Sequence, residues 1–215
     1  LVLTGRRAEP LDAVAARIAA AGGTAVALPG DLTRPGTAGE IVAEIERRFG
    51  RLDLLVNNAG LNIAARAWRD LSLEGIDTVL QGNLSAAFYC AAAALGPMRR
   101  QRDGVLIHTA SWAGRYVSPV SGPAYTAAKH GVVAMSHSIN TEEFGNGIRS
   151  TAILPAEVAT PILDKRPVPP NAEERAVMLQ PEDLGALVLF VATQPARVCL
   201  NEITISPTQN RAYGA

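Results

Sequence analysis

A doubly wound α/β domain on a parallel sheet is the fold class this sequence predicts, and three observations predict it. Short runs rich in Val, Leu and Ile alternate with Ala-rich stretches of helical period. The apolar runs are nearly continuous in hydrophobic residues, as in strands buried on both faces. No internal repeat or low-complexity linker interrupts the 215 residues, a length that suits one domain. Strands and helices in strict alternation close right-handed crossovers, which leaves helices on both faces of the sheet in three layers, α/β/α.

The elements follow in order. "LVLT" (1–4) reads as a strand, and "EPLDAVAARIAAAGG" as the helix after it. "TAVALPG" (24–30) and "LDLLVNN" (52–58) are strands separated by the helix "GTAGEIVAEIERRFG". The helix "GNLSAAFYCAAAALGPMRR" precedes the strand "GVLIHTA" (104–110), and "YTAAKHGVVAMSHSINTEEFG" precedes "IRSTAILP" (148–155). The helix "PEDLGALVLFVAT" and the strand "EITIS" (202–206) complete the pattern. In each helix apolar residues recur at three- and four-residue spacing, and Gly or Pro lies near the end. One long irregular segment, 156–180, is rich in Pro and charge and reads as a substrate lid over a single domain of residues 1–215.

Composition narrows the function classes. Hydrophobic residues make up 48% and charged residues 19%, and 20 basic side chains balance 20 acidic ones. No block of like charge gives a footprint for nucleic acid or an anionic membrane, so a small molecule is the expected partner. Cys90 and Cys199 lie far apart without metal-ligand spacing, which argues against a zinc site or disulfide framework and suits a reducing cytoplasm, with both thiols read as small apolar packing groups. The longest apolar runs, such as "LGALVLFVAT", are too short to span a bilayer. No metal is expected: His108 falls in a strand, and His130 and His137 share a helix without a matching carboxylate. A serine hydrolase has no G-x-S-x-G elbow to rest on. Trp112 and Tyr116 either line a pocket or pack, and Trp68 is expected to pack on a helix.

In a parallel sheet, ligands bind at the carboxyl ends of the strands. There this chain places Gly5, Arg6 and Arg7, then Asn57 to Gly60, then Ser111, and then Pro155, Val158 and Thr160. Tyr125 and Lys129 sit four residues apart on one helix and face each other. At about 5 Å and an effective dielectric near 20, the ammonium favours the phenolate by about 3 kcal/mol at most. That equals about two pK units, enough to bring a phenol towards acid/base work.

"NNAG" after a strand, the Asn of "GNLSAAF" entering a helix, a Ser after the next strand and then Tyr-x-x-x-Lys together resemble the short-chain dehydrogenase/reductase family, in the family's order and across essentially the whole chain. The resemblance implies a Rossmann-like sheet and a catalytic set of Asn83, Ser111, Tyr125 and Lys129. Ser111 and Tyr125 would donate to a substrate carbonyl as hydride arrives, with Tyr125 passing on its proton. Lys129 would hold the nicotinamide ribose, and Asn83 a water of the proton relay. The expected reaction is hydride transfer between nicotinamide and a carbonyl or secondary alcohol of a small molecule.

The same resemblance places the cofactor against Asp31 and Leu32 of "GDLT", the turn Asn58, Ala59 and Gly60, the pair Tyr125 and Lys129, and Pro155, Val158 and Thr160 of "PAEVATP". Ala156 stands where the family carries Gly. Arg6 and Arg7 stand where an NAD enzyme carries an acidic residue, and a guanidinium forks onto a 2′-phosphate that a carboxylate would repel. NADP(H) is therefore expected over NAD(H); the alternative is that both arginines are solvated charges opening a helix. Ser111 lies fourteen residues before Tyr125, one more than the commonest spacing, which would fall on Trp112. The segment "GRYVSPVSGP" is taken to absorb the extra residue, with Thr109 and Ser118 as substitutes for Ser111.

The family's first strand and its glycine-rich turn have no counterpart here, since "LTGRRAEPL" lacks the later glycines. The expectation is a fold without its first βα unit, a sheet broken where that central strand belongs, and weak cofactor binding and low stability for the isolated chain. A catalytically silent module of the same fold is the alternative function. Self-association into a homodimer or homotetramer is expected through the Ala-rich helices "NLSAAFYCAAAALG" and "YTAAKHGVVAMSHSI", and the location is cytoplasmic.

Overall fold

The computed structural model describes residues 1–166 and 168–214. Its strands are β1 (Val2–Gly5), β2 (Val26–Pro29), β3 (Leu54–Asn57), β4 (Gly104–Thr109), β5 (Ile148–Pro155) and β6 (Glu202–Ile205). Its helices are α1 (Ala8–Ala20), α2 (Thr37–Phe49), α3 (Leu73–Leu80), α4 (Ala86–Gln101), α5 (Pro123–Glu143), α6 (Ala172–Ala176) and α7 (Pro181–Ala192). Each of the six expected strands is present within two residues of its expected bounds.

Every strand pairing is parallel. Successive residues of a central strand point to opposite faces, and here each face has its own helices. Leu106, Ala152 and Leu154 pack with Ala91, Ala94 and Met98 of α4 and with Val132 and Met135 of α5. Val105, Ile107 and Ile153 point the other way and meet Leu187 and Val191 of α7. This is the expected three-layer α/β/α arrangement. The strands fall into a four-stranded sheet in the order β3-β4-β5-β6 and a separate pair β1-β2. Burial follows that division, because β4 and β5 are almost wholly buried while β1, β2 and β3 are half-buried or exposed along their length.

Three sequence expectations change. A helix, α3, precedes the expected one. Its N-cap Ser72 accepts from Gly75 N at 3.0 Å, and a π-helical turn at Gln81–Ser85 joins it to α4. The 29-residue run Leu73–Gln101 is thus long and apolar enough to cross a membrane by length and composition alone, contrary to the expectation that no run is. Its apolar character has a core use, since Val79, Ala87, Ala91, Ala94 and Met98 are buried.

Segment 156–180 is also not irregular. It carries a 3₁₀ turn at Pro161–Lys165, and α6 opens with a reciprocal capping box between Asn171 and Glu174. A parallel bridge from Val158 to Leu179 pins its ends. The third change concerns packing: Trp68 is 78% exposed and covers no helix, and Cys199 is exposed while Cys90 is buried as expected.

Candidate active site

The carboxyl ends of β3 and β4 and the first turns of α5 meet at one place. Gly122, with φ +77°, turns the chain into α5, and Pro123 occupies its first turn, where a missing N–H costs nothing. Tyr125 and Lys129 follow one turn apart, and the Lys129 ammonium lies over the Tyr125 ring, 5.5 Å from its centroid. Lys129 is 4% exposed, and its Nζ donates to the Thr109 carbonyl at the end of β4 at 2.8 Å. Burial without a carboxylate lowers this ammonium to about 8.

Ser111 follows β4 in extended conformation. Its Oγ accepts from Ala113 N at 3.1 Å and shares a hydrogen bond with the Tyr125 phenol. Trp112, where the commonest spacing falls, stacks on Tyr116 with ring centroids 4.5 Å apart. Of the substitutes, Thr109 offers its carbonyl to Lys129, and Ser118 Oγ accepts from Val120 N at 3.3 Å.

The phenol's acidity departs from expectation. Burial pushes Tyr125 up, and the Ser111 hydrogen bond and the charges of Arg66 and Arg166 offset this only in part. Lys129 is not among the charges that lower it: burial brings the ammonium down to about 8, so it has given up its proton before a phenol pushed above its ordinary value ionises.

Asn83 sits in the π-helical turn, a distortion frequent at functional sites. Its Nδ2 donates to the carbonyls of Leu61 and Val79, each at 2.8 Å, and its Oδ1 accepts from Leu61 N at 3.2 Å. One amide hydrogen fixes the turn after β3 through Leu61, and the other is spent on Val79 of α3. A Cβ on Gly60 would stand 2.9 Å from Asn83 Oδ1 and 3.6 Å from Lys129 Nζ, so only glycine fits there. Asn58, Ala59 and Gly60 are exposed along this turn. Asn57 anchors it by donating to Ala87 O at 3.0 Å and to Nδ1 of the buried His108 at 3.1 Å.

At the ends of β1 and β2, which are on the separate sheet, Gly30 N donates to Gly5 O at 2.9 Å. Arg6 and Arg7 are exposed and make no salt bridge among the described residues. The Asp31 carboxylate accepts from Thr33 N and Oγ1 at 3.1 and 2.7 Å. Those bonds, and then the charges of Arg6 and Arg34, hold it below the usual range. Leu32, expected among the cofactor contacts, buries its side chain with Ala38, Ala86 and Cys90, which leaves its backbone for that contact. Pro155 ends β5, and Ala156 N donates to Ile205 O at 2.8 Å with negative φ, so no glycine is needed in that turn. Val158 and Thr160 lie beside the bridge to Leu179. His137, expected to lack a carboxylate, pairs with Glu202 at 2.9 Å across the fold.

Two residues near Tyr125 had no sequence signal: Arg66 and Arg166, one hundred positions apart in irregular segments. Only the tertiary fold brings their charges to bear on the phenol.

The family model described as short chain dehydrogenase matches residues 1–169. The chain belongs to the short-chain dehydrogenase family. Among the curated relatives of this short-chain dehydrogenase, D-beta-hydroxybutyrate dehydrogenase of Rhizobium meliloti is 34% identical over 155 residues, 72% of this chain and 59% of that protein. An uncharacterized oxidoreductase of Staphylococcus aureus is 31% identical over 207 residues, 96% of this chain and 86% of that one. Among solved structures, the closed form of serine dehydrogenase complexed with NADP+ superposes with a TM-score of 0.86 at 28% identity, covering 98% of this chain and 86% of that one.

Proposed function

We propose that the protein is an NADP(H)-dependent oxidoreductase that moves hydride between nicotinamide and the carbonyl or secondary alcohol of a small molecule. The observation that carries this reading is the convergence of Ser111, Tyr125 and a buried Lys129 at one strand end, with Asn83 behind Gly60. The relatives' names agree with alcohol and carbonyl chemistry, since two of them specify dehydrogenases of hydroxyl-bearing substrates.

The residues fit a dinucleotide. Lys129 holds a buried ammonium whose one protein acceptor among the described residues is a backbone carbonyl, which leaves donors for ribose hydroxyls. The turn Asn58 to Gly60 offers exposed backbone, and Arg6 and Arg7 offer unpaired guanidinium groups for a 2′-phosphate. Asp31, Leu32 through its backbone, Pro155, Val158 and Thr160 complete the proposed cleft. NADP(H), when bound, supplies or accepts the hydride.

The chain's own groups do the rest. Ser111 Oγ and Tyr125 OH donate to the substrate oxygen and stabilise the negative charge that develops on it. Tyr125 OH then transfers its proton to that oxygen; in the oxidative direction the phenolate takes the proton back. Burial pushes the Tyr125 phenol up, which suits the proton-carrying form that reduction needs. Asn83 holds Leu61 and so the turn that flanks Lys129. Segment 156–180 acts as the lid that excludes water, the chain works in the cytoplasm as a homodimer or homotetramer through α4 and α5, and residues 1–215 act as one domain.

Mixing with NADPH while following its fluorescence, then screening ketones, tests the reading. Tyr125→Phe should lower turnover by about 10²- to 10⁴-fold with cofactor binding retained. A Tyr125→Phe or Ser111→Ala protein at full turnover would show that the chemistry lies elsewhere.

A further inference from the structure

Arg66 poses a question that the hydride chemistry leaves open. It is 8% exposed, yet among the described residues it meets no carboxylate. Nη2 donates to Lys165 O at 2.8 Å and Nη1 to Val120 O at 3.3 Å, and Nε is buried without a partner. A guanidinium carries five N–H donors, and among the described residues only these two find a protein acceptor. The residue is held firmly in place. Gly122 packs on it so closely that a Cβ there would stand 2.6 Å from Arg66 O, and the neighbouring Asn62 donates to Ser121 O at 3.0 Å.

Arg166, next to the Lys165 carbonyl that Arg66 holds, is also largely buried, and it pairs at 2.5 Å with Glu157, a carboxylate that it shares with Arg211. Burial and then the like charge of Arg166 work against Arg66's protonation, and both cations act on the Tyr125 phenol. A buried, unneutralised cation is costly unless a partner arrives. Arg66, unlike Arg166, meets no carboxylate among the described residues, and one guanidinium forks onto one carboxylate. Arg66 packs on Gly122, three residues before Tyr125, close enough for its charge to act on the phenol.

Resting on the oxidoreductase reading, we propose that the substrate is an oxo acid or hydroxy acid whose carboxylate is recognised by Arg66, between residues 118–122 and the lid, while its carbonyl or alcohol faces Ser111 and Tyr125. Arg66 is then a specificity-determining residue. Arg166, already paired, sets the distance between lid and carboxylate.

The test compares 2-oxo, 3-oxo and 4-oxo acids of four to six carbons with their methyl esters, as substrates with NADPH and as ligands of the cofactor-free protein by saturation-transfer NMR. At least one acid should exceed its ester by tenfold or more in kcat/KM and should bind where the ester does not. Arg66→Met should abolish both preferences, and Arg66→Lys should restore part of them; a merely structural Arg66 would change acid and ester alike. Should Arg66→Met fail to fold, the wild-type contrast between acid and ester still decides. Equal use of acids and esters, or no acid binding by the free protein, overturns the proposal and leaves the oxidoreductase reading intact. Acids that bind through Arg66 without any compound being reduced support the anion site and count against the oxidoreductase reading.

Discussion

Lys129 and His108 show what burial does to a single charge in this site. Both side chains are enclosed, and both lose basicity, His108 to about 4 and Lys129 to about 8, with burial as the leading cause. For His108 the unfolded chain binds the proton more readily, so stability is lost as pH falls from about 6.5 to about 4, by about 3 kcal/mol in all. Urea denaturation at pH 7, 5 and 4 should show this loss, and His108→Asn, which keeps an acceptor for Asn57, should remove most of it. For Lys129 the unfolded chain again holds the proton more tightly, so stability rises with pH between about 8 and 10.5. Lys129→Met should therefore be more stable than wild type near pH 7 by about 1–2 kcal/mol, after about 1 kcal/mol is lost with the Thr109 bond, while turnover falls. At the adenosine end, Arg6→Asp should weaken NADPH binding by about tenfold to a hundredfold and NADH binding far less, read as the ratio of the two Kd values. An unchanged ratio would remove Arg6 from the proposed phosphate site.

At the scale of elements, the turn after β3 and the π-helical turn before α4 act as one part, joined by Asn83. Gly60→Ala would drive a Cβ to 2.9 Å from Asn83 Oδ1, so the turn must shift. Overpacking of this kind costs about 1–3 kcal/mol, and the variant should lose about that much stability together with cofactor affinity. Equal melting and equal binding would mean that the turn has slack. This part was only half legible in the sequence. "NNAG" and "GNL" announced themselves as motifs, but the two hydrogen bonds between Asn83 and Leu61, twenty-two residues apart, are long-range facts that no local pattern encodes. Helix α3 was missed for the opposite reason: its eight residues include Gly75 and Asp77, poor helix formers, and it is sustained by continuity with α4. The lid's order likewise comes from contacts made across it, above all Glu157, which grips Arg166 and Arg211 together.

Over the whole molecule, stability is distributed unevenly. The strands β4 and β5, packed between α4 and α5 on one face and α7 on the other, form the densest region. The unit β1-α1-β2 hydrogen-bonds to itself in a separate sheet, and α1 buries no side chain. Amide exchange should reflect this, with β4, β5 and the core side of α5 protected at the global limit and β1, α1 and β2 exchanging far sooner by local opening. Uniform protection would show that the two sheets unfold as one. The sequence by itself determined the layer architecture and the strand positions and nominated Asn83, Ser111, Tyr125 and Lys129 as the candidate set, because periodicity and short motifs are local properties of a chain. Only the tertiary structure decided that the phenol is pushed up, that Leu32 packs inward, and that Arg66 and Arg166 stand beside Tyr125. Those outcomes depend on burial and on charges brought together from distant positions, and neither exclusion of solvent nor the approach of residues one hundred positions apart exists until the chain has closed on itself.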